Sequence, residues 1–366
     1  MSGRNQIKTA WRNFLSVSSV AALAVGVMTL VLLGLVCLEA EAKEKGKYHF
    51  RYPCWEAAGA YHTENFYLWW PRRVEELSKG EVTFDLFPGQ VLMKGFNHYE
   101  AVRDNTVSFA PTVSGYEADT LPLGTFAEFP FLLEDLGADG YRKYFKMRDE
   151  MLAAGLQSYY NKKGVYNIAG TQVTPNGVWT TKKWGPVRKL DDLKGCKIRT
   201  PGGLLNNALV AMGAQPVTLA VADTYMSLQT GVIDGASLAE PASLSIRLQE
   251  VVKYATRLNY GSVEITIIGN LETWNKLPQH IRDIMLQAGR EVQEHFAKQQ
   301  KIEWEKTADV LKKAGVEVIY LDKNEQARLR QVTKPIRAQW EVKYGNEEQG
   351  LGKKLLKIID KYSVNK

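Results

Sequence analysis

The sequence predicts an α/β fold divided into two lobes, and three observations carry that expectation. Strand-like and helix-like segments alternate from Lys47 to Pro111 and again from Asp191 to Gly235. Such a rhythm implies parallel strands covered by helices. Helical periodicity then continues unbroken from Gln279 to Lys313, long enough to run the length of a domain. Finally, 366 residues at 45% hydrophobic and 24% charged composition suffice for two sizeable cores.

The first 42 residues stand apart. Arg4, Lys8 and Arg12 precede an almost wholly apolar run from Val20 to Leu38, and Ala40-Glu41-Ala42 supplies an A-x-A cleavage site. This is the pattern of a secretory signal peptide, an uncleaved anchor being the alternative. Val36 is not the small residue that a lipoprotein site at Cys37 would want. Cleavage after Ala42 leaves Cys54 and Cys196, which fall in segments assigned to different lobes. Two buried free thiols are expected, with pairing in an oxidising compartment as the alternative.

In the mature chain, KYHFRY from Lys47 to Tyr52 alternates as a first strand. A helix is expected over Phe66 to Lys79, with Trp69, Trp70, Val74 and Leu77 facing inward and Gly80 ending it. VTFDLF from Val82 to Phe87 is a second strand, stopped by Pro88-Gly89. His98 to Asp104 reads as a helix and Val107 to Pro111 as a third strand. The loop Thr112 to Leu123 follows that strand's carboxyl end, where open α/β sheets bind ligands. Ser114 and Tyr116 are therefore candidate lining residues, or else exposed loop positions. Tyr141 to Leu156 is a helix, and Val165 to Gly170 and Val178 to Thr181 are strands.

From Asp191 to Gly235 the chain reads strand, turn, helix, strand, helix. Lys197 to Thr200 is a strand that Pro201 and Gly202-Gly203 end, and Leu205, Ala208, Leu209 and Met212 follow at helical spacing up to Gly213. The turn sets the Arg199 guanidinium beside a helix start. Both favour an anion, and the guanidinium fork suits a carboxylate. Ala214 to Thr218 is a strand, and Ala222 to Thr230 a helix with Asp223 as expected cap. Val263 to Asn270 is an apolar strand, the long helix runs from Gln279 to Lys313, and Gly315 to Leu321 is a late strand. The remainder to Lys366 is helical and charged.

The run DLKGxKIRTPGG from Asp192 to Gly203, then A-x-x-x-M-G-A-x-P-V from Ala208 to Val217, then TYxxLQTGVIDG from Thr224 to Gly235, resembles the DctP-type solute-binding proteins of TRAP transporters. The resemblance implies the class II periplasmic-binding-protein fold: two lobes with mixed, mostly parallel sheets, joined by hinge strands and a long spanning helix. It implies lobe I as 43–175 plus 265–303, and lobe II as 176–264 plus 304–366. It further implies a periplasmic protein that captures an organic acid between the lobes and delivers it to TRAP membrane subunits.

By the same resemblance Arg199 pairs the ligand carboxylate. Family members often carry a second arginine near the position of Trp179, which would here offer an aromatic wall. After Asp234-Gly235 many have Gln-Glu-Asn-Pro, or a Glu-Trp pair in keto-acid binders. This chain has Ala236-Ser237-Leu238-Ala239-Glu240-Pro241 instead, so Ser237 and Glu240 are candidate replacements, and the ligand is left open among dicarboxylate, keto acid, sugar acid and aromatic acid. Trp55, Trp179 and Tyr116 suggest room for an aromatic or bulky carboxylate.

Other chemistries find no support in the sequence. Histidines 49, 62, 98, 280 and 295 lack metal spacing, and there is no H-E-x-x-H, C-x-x-C, G-x-S-x-G or Walker loop. No metal, cofactor or catalytic residue is therefore expected. A formal net charge of +7 is spread along the chain without a long basic run, which argues against a nucleic-acid partner. An exported enzyme acting on a small acid, or a sensory binding protein outside transport, are the alternatives to a transport receptor.

Overall fold

The computed structural model describes residues 45–132 and 134–362. The expected signal peptide lies outside them. Among the described residues three sheets form. Strands β1 (Tyr48–Pro53) and β2 (Val82–Phe87) pair in parallel, with Tyr48 opposite Val82. Strand β10 (Glu264–Asn270) lies between β3 (Phe109–Val113) and β4 (Val165–Gln172), antiparallel to both. The third sheet has six strands in the order β11 (Glu317–Ile319), β9 (Tyr254–Thr256), β5 (Gly177–Thr180), β8 (Gly235–Leu238), β6 (Lys197–Thr200) and β7 (Gln215–Thr218). Pairing in that sheet is mixed: β6 runs parallel to β7 and β8, whereas β5 is antiparallel to β8 and β9.

Two strand connections pass between the three-stranded and six-stranded sheets, β4 to β5 and β9 to β10. They run side by side. The Val173 amide donates to the Val263 carbonyl at 3.2 Å, and the Asn176 amide to the Gly261 carbonyl at 2.7 Å. The Ser262 hydroxyl adds a bond to the Val173 carbonyl. These paired crossings are the hinge strands of the two-lobe fold. The third link is helix α9 (Gln279–Lys313), 35 residues and roughly 50 Å long at 1.5 Å per residue. Ile281, Met285, Ala288, Val292 and Phe296 bury one face of it at helical spacing. That face packs on β4, on α1 (Trp69–Leu77) and on α3 (Ala138–Met151), and the helix then reaches β11 beside the six-stranded sheet. Lys312 and Lys313 sit in its last turn, where cations complement the helix dipole.

Local chemistry shortens or splits several expected elements. The helix expected from Phe66 breaks into a π-turn, Thr63–Tyr67, and α1. Pro71 is the cause: it has no N–H to give the Tyr67 carbonyl, and its ring would strike that carbonyl in a continuous helix. Trp69 is consequently only half-buried and stacks on His295 at 5.1 Å. Asp223 makes no side-chain cap. It ends a 3-10 turn, Val221–Asp223, ahead of the short α6 (Thr224–Gln229). The late strand keeps only three residues because β11 has one neighbour, β9. At the carboxyl end α12 (Glu347–Tyr362) folds back against α3. Cys54 and Cys196 are both free and buried.

Candidate functional site

Four strand ends and the hinge converge on one cavity of about 440 Å³, its mouth included. The segment after β1 contributes Trp55, Glu56 and His62, and the π-turn adds Tyr67. The end of β3 and its loop bring Val113 and Tyr116. The hinge supplies Val173, Asn176 and Val263. Arg199 and Pro201 enter from the end of β6, and Leu238, Ala239 and Ala242 from the end of β8. These are carboxyl ends of strands, where side chains leave the sheet without a covering helix. Tyr116 and Pro201 also border a larger polar opening of about 1150 Å³.

Arg199 is 2% exposed. Its Nε donates to the Leu219 carbonyl at 2.9 Å, while its terminal nitrogens have only the Ser237 carbonyl at 3.5 Å and the Tyr116 hydroxyl at 3.4 Å. All three acceptors are neutral, and the last two bonds are long. Burial pulls its pKa below the ordinary arginine value, with Tyr116 opposing, yet a guanidinium stays charged. The other two buried arginines contrast with it. Arg148 pairs with Glu264 and Asn167, and Arg257 grips Glu240 through two 2.5 Å bonds while lying 3.8 Å above the Trp304 ring. Among the described residues Arg199 alone of the three has no carboxylate.

Of the residues expected at the site, Arg199, Tyr116 and Trp55 line the cavity together. Four others stand elsewhere. Trp179 is core: its indole N–H donates to the Leu238 carbonyl at 3.2 Å, and the ring is 1% exposed. Glu240 is committed to Arg257. Ser114 donates to Glu128 at 2.7 Å. Ser237 stands one residue behind the lining, its hydroxyl bonded to Tyr260 at 2.5 Å and accepting from the Asn176 amide at 3.0 Å. It thereby orients Asn176, which does face the cavity.

The helix start beside Arg199 is also occupied. Helix α5 (Gly203–Ala211) receives the Glu128 carboxylate, whose oxygen accepts from the Leu204 amide at 2.7 Å. Burial raises the Glu128 pKa to about 7 despite these bonds. The anion that the β6–α5 turn attracts is thus one of the protein's own side chains.

Glu56, His62, Tyr67 and Asn176 were not anticipated. Glu56 follows the end of β1, where the strand-end rule would have found it. The others come into place through the π-turn and the hinge. The aromatic wall is Trp55, Tyr67 and Tyr116: Trp55 meets Tyr67 edge-on at 4.5 Å and Tyr116 at 6.2 Å. Burial pushes both tyrosine hydroxyls up, against the pull of Arg199 on Tyr116, so they stay protonated.

Residues 58–343 match DctP, the bacterial extracellular solute-binding protein family 7. The C4-dicarboxylate-binding periplasmic protein DctP of Rhodobacter capsulatus is 27% identical over 280 residues, 75% of this chain and 80% of that protein. A TRAP periplasmic solute-binding protein from Desulfovibrio salexigens, solved with bound orotic acid, superposes with a TM-score of 0.78 at 23% identity, over 87% of this chain and 100% of the other. DctP7, a Bordetella pertussis extracytoplasmic solute receptor binding pyroglutamic acid, gives a TM-score of 0.75 at 20% identity, over 85% of this chain and 99% of the other. Two sheets joined by paired crossings and one long helix agree with that match: the chain belongs to the bacterial extracellular solute-binding protein family 7.

Proposed function

We propose that this protein is the periplasmic receptor of a TRAP transporter, that it holds an organic acid by its carboxylate on Arg199, and that it delivers the acid to the membrane subunits. One observation carries the carboxylate assignment: a charged, 2% exposed guanidinium lines a cavity between the strand ends with no anionic partner among the described residues. An unpaired buried charge is costly unless a ligand completes it. The family and the relatives' carboxylate ligands support the transport reading.

The lobes we propose are 43–175 plus 265–303 and 176–264 plus 304–366, turning about the paired crossings so that Tyr116 and Trp55 close over Arg199. The ligand set proposed is Arg199, Tyr116, Trp55 and Asn176, with Ser237 holding Asn176. Binding without turnover is the reading that membership of a solute-binding family supports. Calorimetry on purified protein against a panel of organic acids tests this. Arg199→Ala should lose about 2–5 kcal/mol of binding, since truncation strands the ligand charge in a desolvated site. Unchanged affinity would remove Arg199 from the site.

A further inference from the structure

The cavity carries a second polar feature that a simple carboxylate on Arg199 leaves unused. Glu56 is 5% exposed and His62 2% exposed, and both line the cavity. His62 Nδ1 lies 3.2 Å from Glu56 Oε1. Among the described residues, neither Glu56 Oε2 nor His62 Nε2 has any hydrogen-bond partner. The carboxylate oxygen makes Nδ1 the proton-bearing nitrogen, so in the neutral imidazole Nε2 is an acceptor. Two buried acceptors therefore belong to residues that line the same cavity as the Arg199 guanidinium.

We propose that the ligand is a zwitterion, a small carboxylic acid whose protonated nitrogen is held by Glu56 and His62. This rests on the reading that Arg199 takes the carboxylate. Each alternative class leaves a physical deficit. A second carboxylate, as in a dicarboxylate, would set an anion against the Glu56 carboxylate. An apolar end would bury two acceptors without donors, a penalty comparable to losing their hydrogen bonds. A nitrogen with two or more N–H groups satisfies both acceptors at once. Its charge also balances the site, with Arg199 matched by the ligand carboxylate and Glu56 by the ligand cation. The Trp55 and Tyr67 rings beside Glu56 add a cation–π surface.

The test compares acids that differ only in the nitrogen: proline with cyclopentanecarboxylate, pipecolate with cyclohexanecarboxylate, γ-aminobutyrate with pentanoate, and succinate as dicarboxylate. Calorimetry on wild-type protein is expected to find a nitrogen acid bound about a hundredfold tighter than its nitrogen-free partner, as in sites built to hydrogen-bond a ligand. Glu56→Gln should erase most of that preference, and His62→Asn part of it, while Arg199→Ala abolishes binding of both partners. Nitrogen-free acids or succinate binding as tightly as any nitrogen acid would overturn the zwitterion, with the Arg199 reading intact. A nitrogen preference that survives both Glu56→Gln and His62→Asn would overturn the assignment to this pair. If no acid binds, or if Arg199→Ala leaves a bound acid unaffected, the carboxylate reading itself fails. The comparison on wild-type protein needs no variant to fold.

Discussion

Among the described residues two of the three buried arginines are paired with a carboxylate, Arg148 with Glu264 and Arg257 with Glu240, so removing either would strand a buried carboxylate. Glu128 has no cation among the described residues, only the Ser114 hydroxyl and backbone amides at the start of α5, and burial holds its pKa at about 7. Its effect on stability has a definite sign. Between the ordinary glutamate value near 4.5 and about 7, the folded state keeps a proton that the unfolded state has released. Glu128 therefore stabilises fully at low pH, and its contribution falls as pH rises through that window. At 1.36 kcal/mol per pH unit, the upper limit is about 3 kcal/mol. Glu117, raised to about 8 by burial, acts in the same direction. His98, lowered to about 4 by burial, acts in the opposite one, because below pH 6.5 only its unfolded form gains a proton. The whole-protein profile mixes these effects, so the informative quantity is the difference between wild type and Glu128→Gln. Melting temperature followed from pH 4.5 to pH 8 should show the wild type losing ground to the variant as pH rises. Parallel curves would mean that Glu128 ionises as an ordinary glutamate.

At the scale of elements, the β6–α5 turn shows what the sequence makes legible and what it withholds. Strand β6 and the start of α5 fall where Pro201 and the two glycines put them, because those residues act on their own backbone. Gly202 and Gly203 have φ of 111° and 64°, in the region that glycine adopts most readily. The occupant of the helix start could not be read, since Glu128 lies 75 residues earlier and its arrival depends on how the two sheets meet. Trp179 was misjudged for the same reason. Its position along β5 is legible, but whether its ring faces the cavity or the core depends on β8 beside it, and the Leu238 carbonyl captures the indole. Glu240 likewise is claimed by Arg257 from across the sheet. Arg199 was legible because the turn that frees it is local and because nothing competes for it. The turn also makes a prediction. A Cβ on Gly203 would lie 2.1 Å from Glu128 Oε2, and its left-handed φ adds strain. Gly203→Ala should destabilise the fold by about 1–3 kcal/mol. Urea unfolding with no loss of midpoint would show that the Glu128 cap is dispensable.

For the molecule as a whole, the long helix follows from the periodicity of Gln279–Lys313 and the hinge strands from the family motifs, whereas the strand order of the six-stranded sheet and the cavity are products of assembly. The thiols test that assembly together with the export signal. Cys54 ends β1 in the core around α9, and Cys196 precedes β6 in the core around α5, so the two sulfurs belong to different clusters of buried side chains. Burial is the largest influence on each thiol and pushes it well above the ordinary cysteine value, which makes both poor nucleophiles. The third cysteine in the sequence, Cys37, lies before the cleavage site expected after Ala42. Exported protein should therefore show no thiol reactive toward a disulfide reagent while folded, and two per chain once denatured without reductant. A third reactive thiol would mean that the amino-terminal segment is retained as an anchor. None after denaturation would mean that Cys54 and Cys196 are joined, against their free and buried state in this structure.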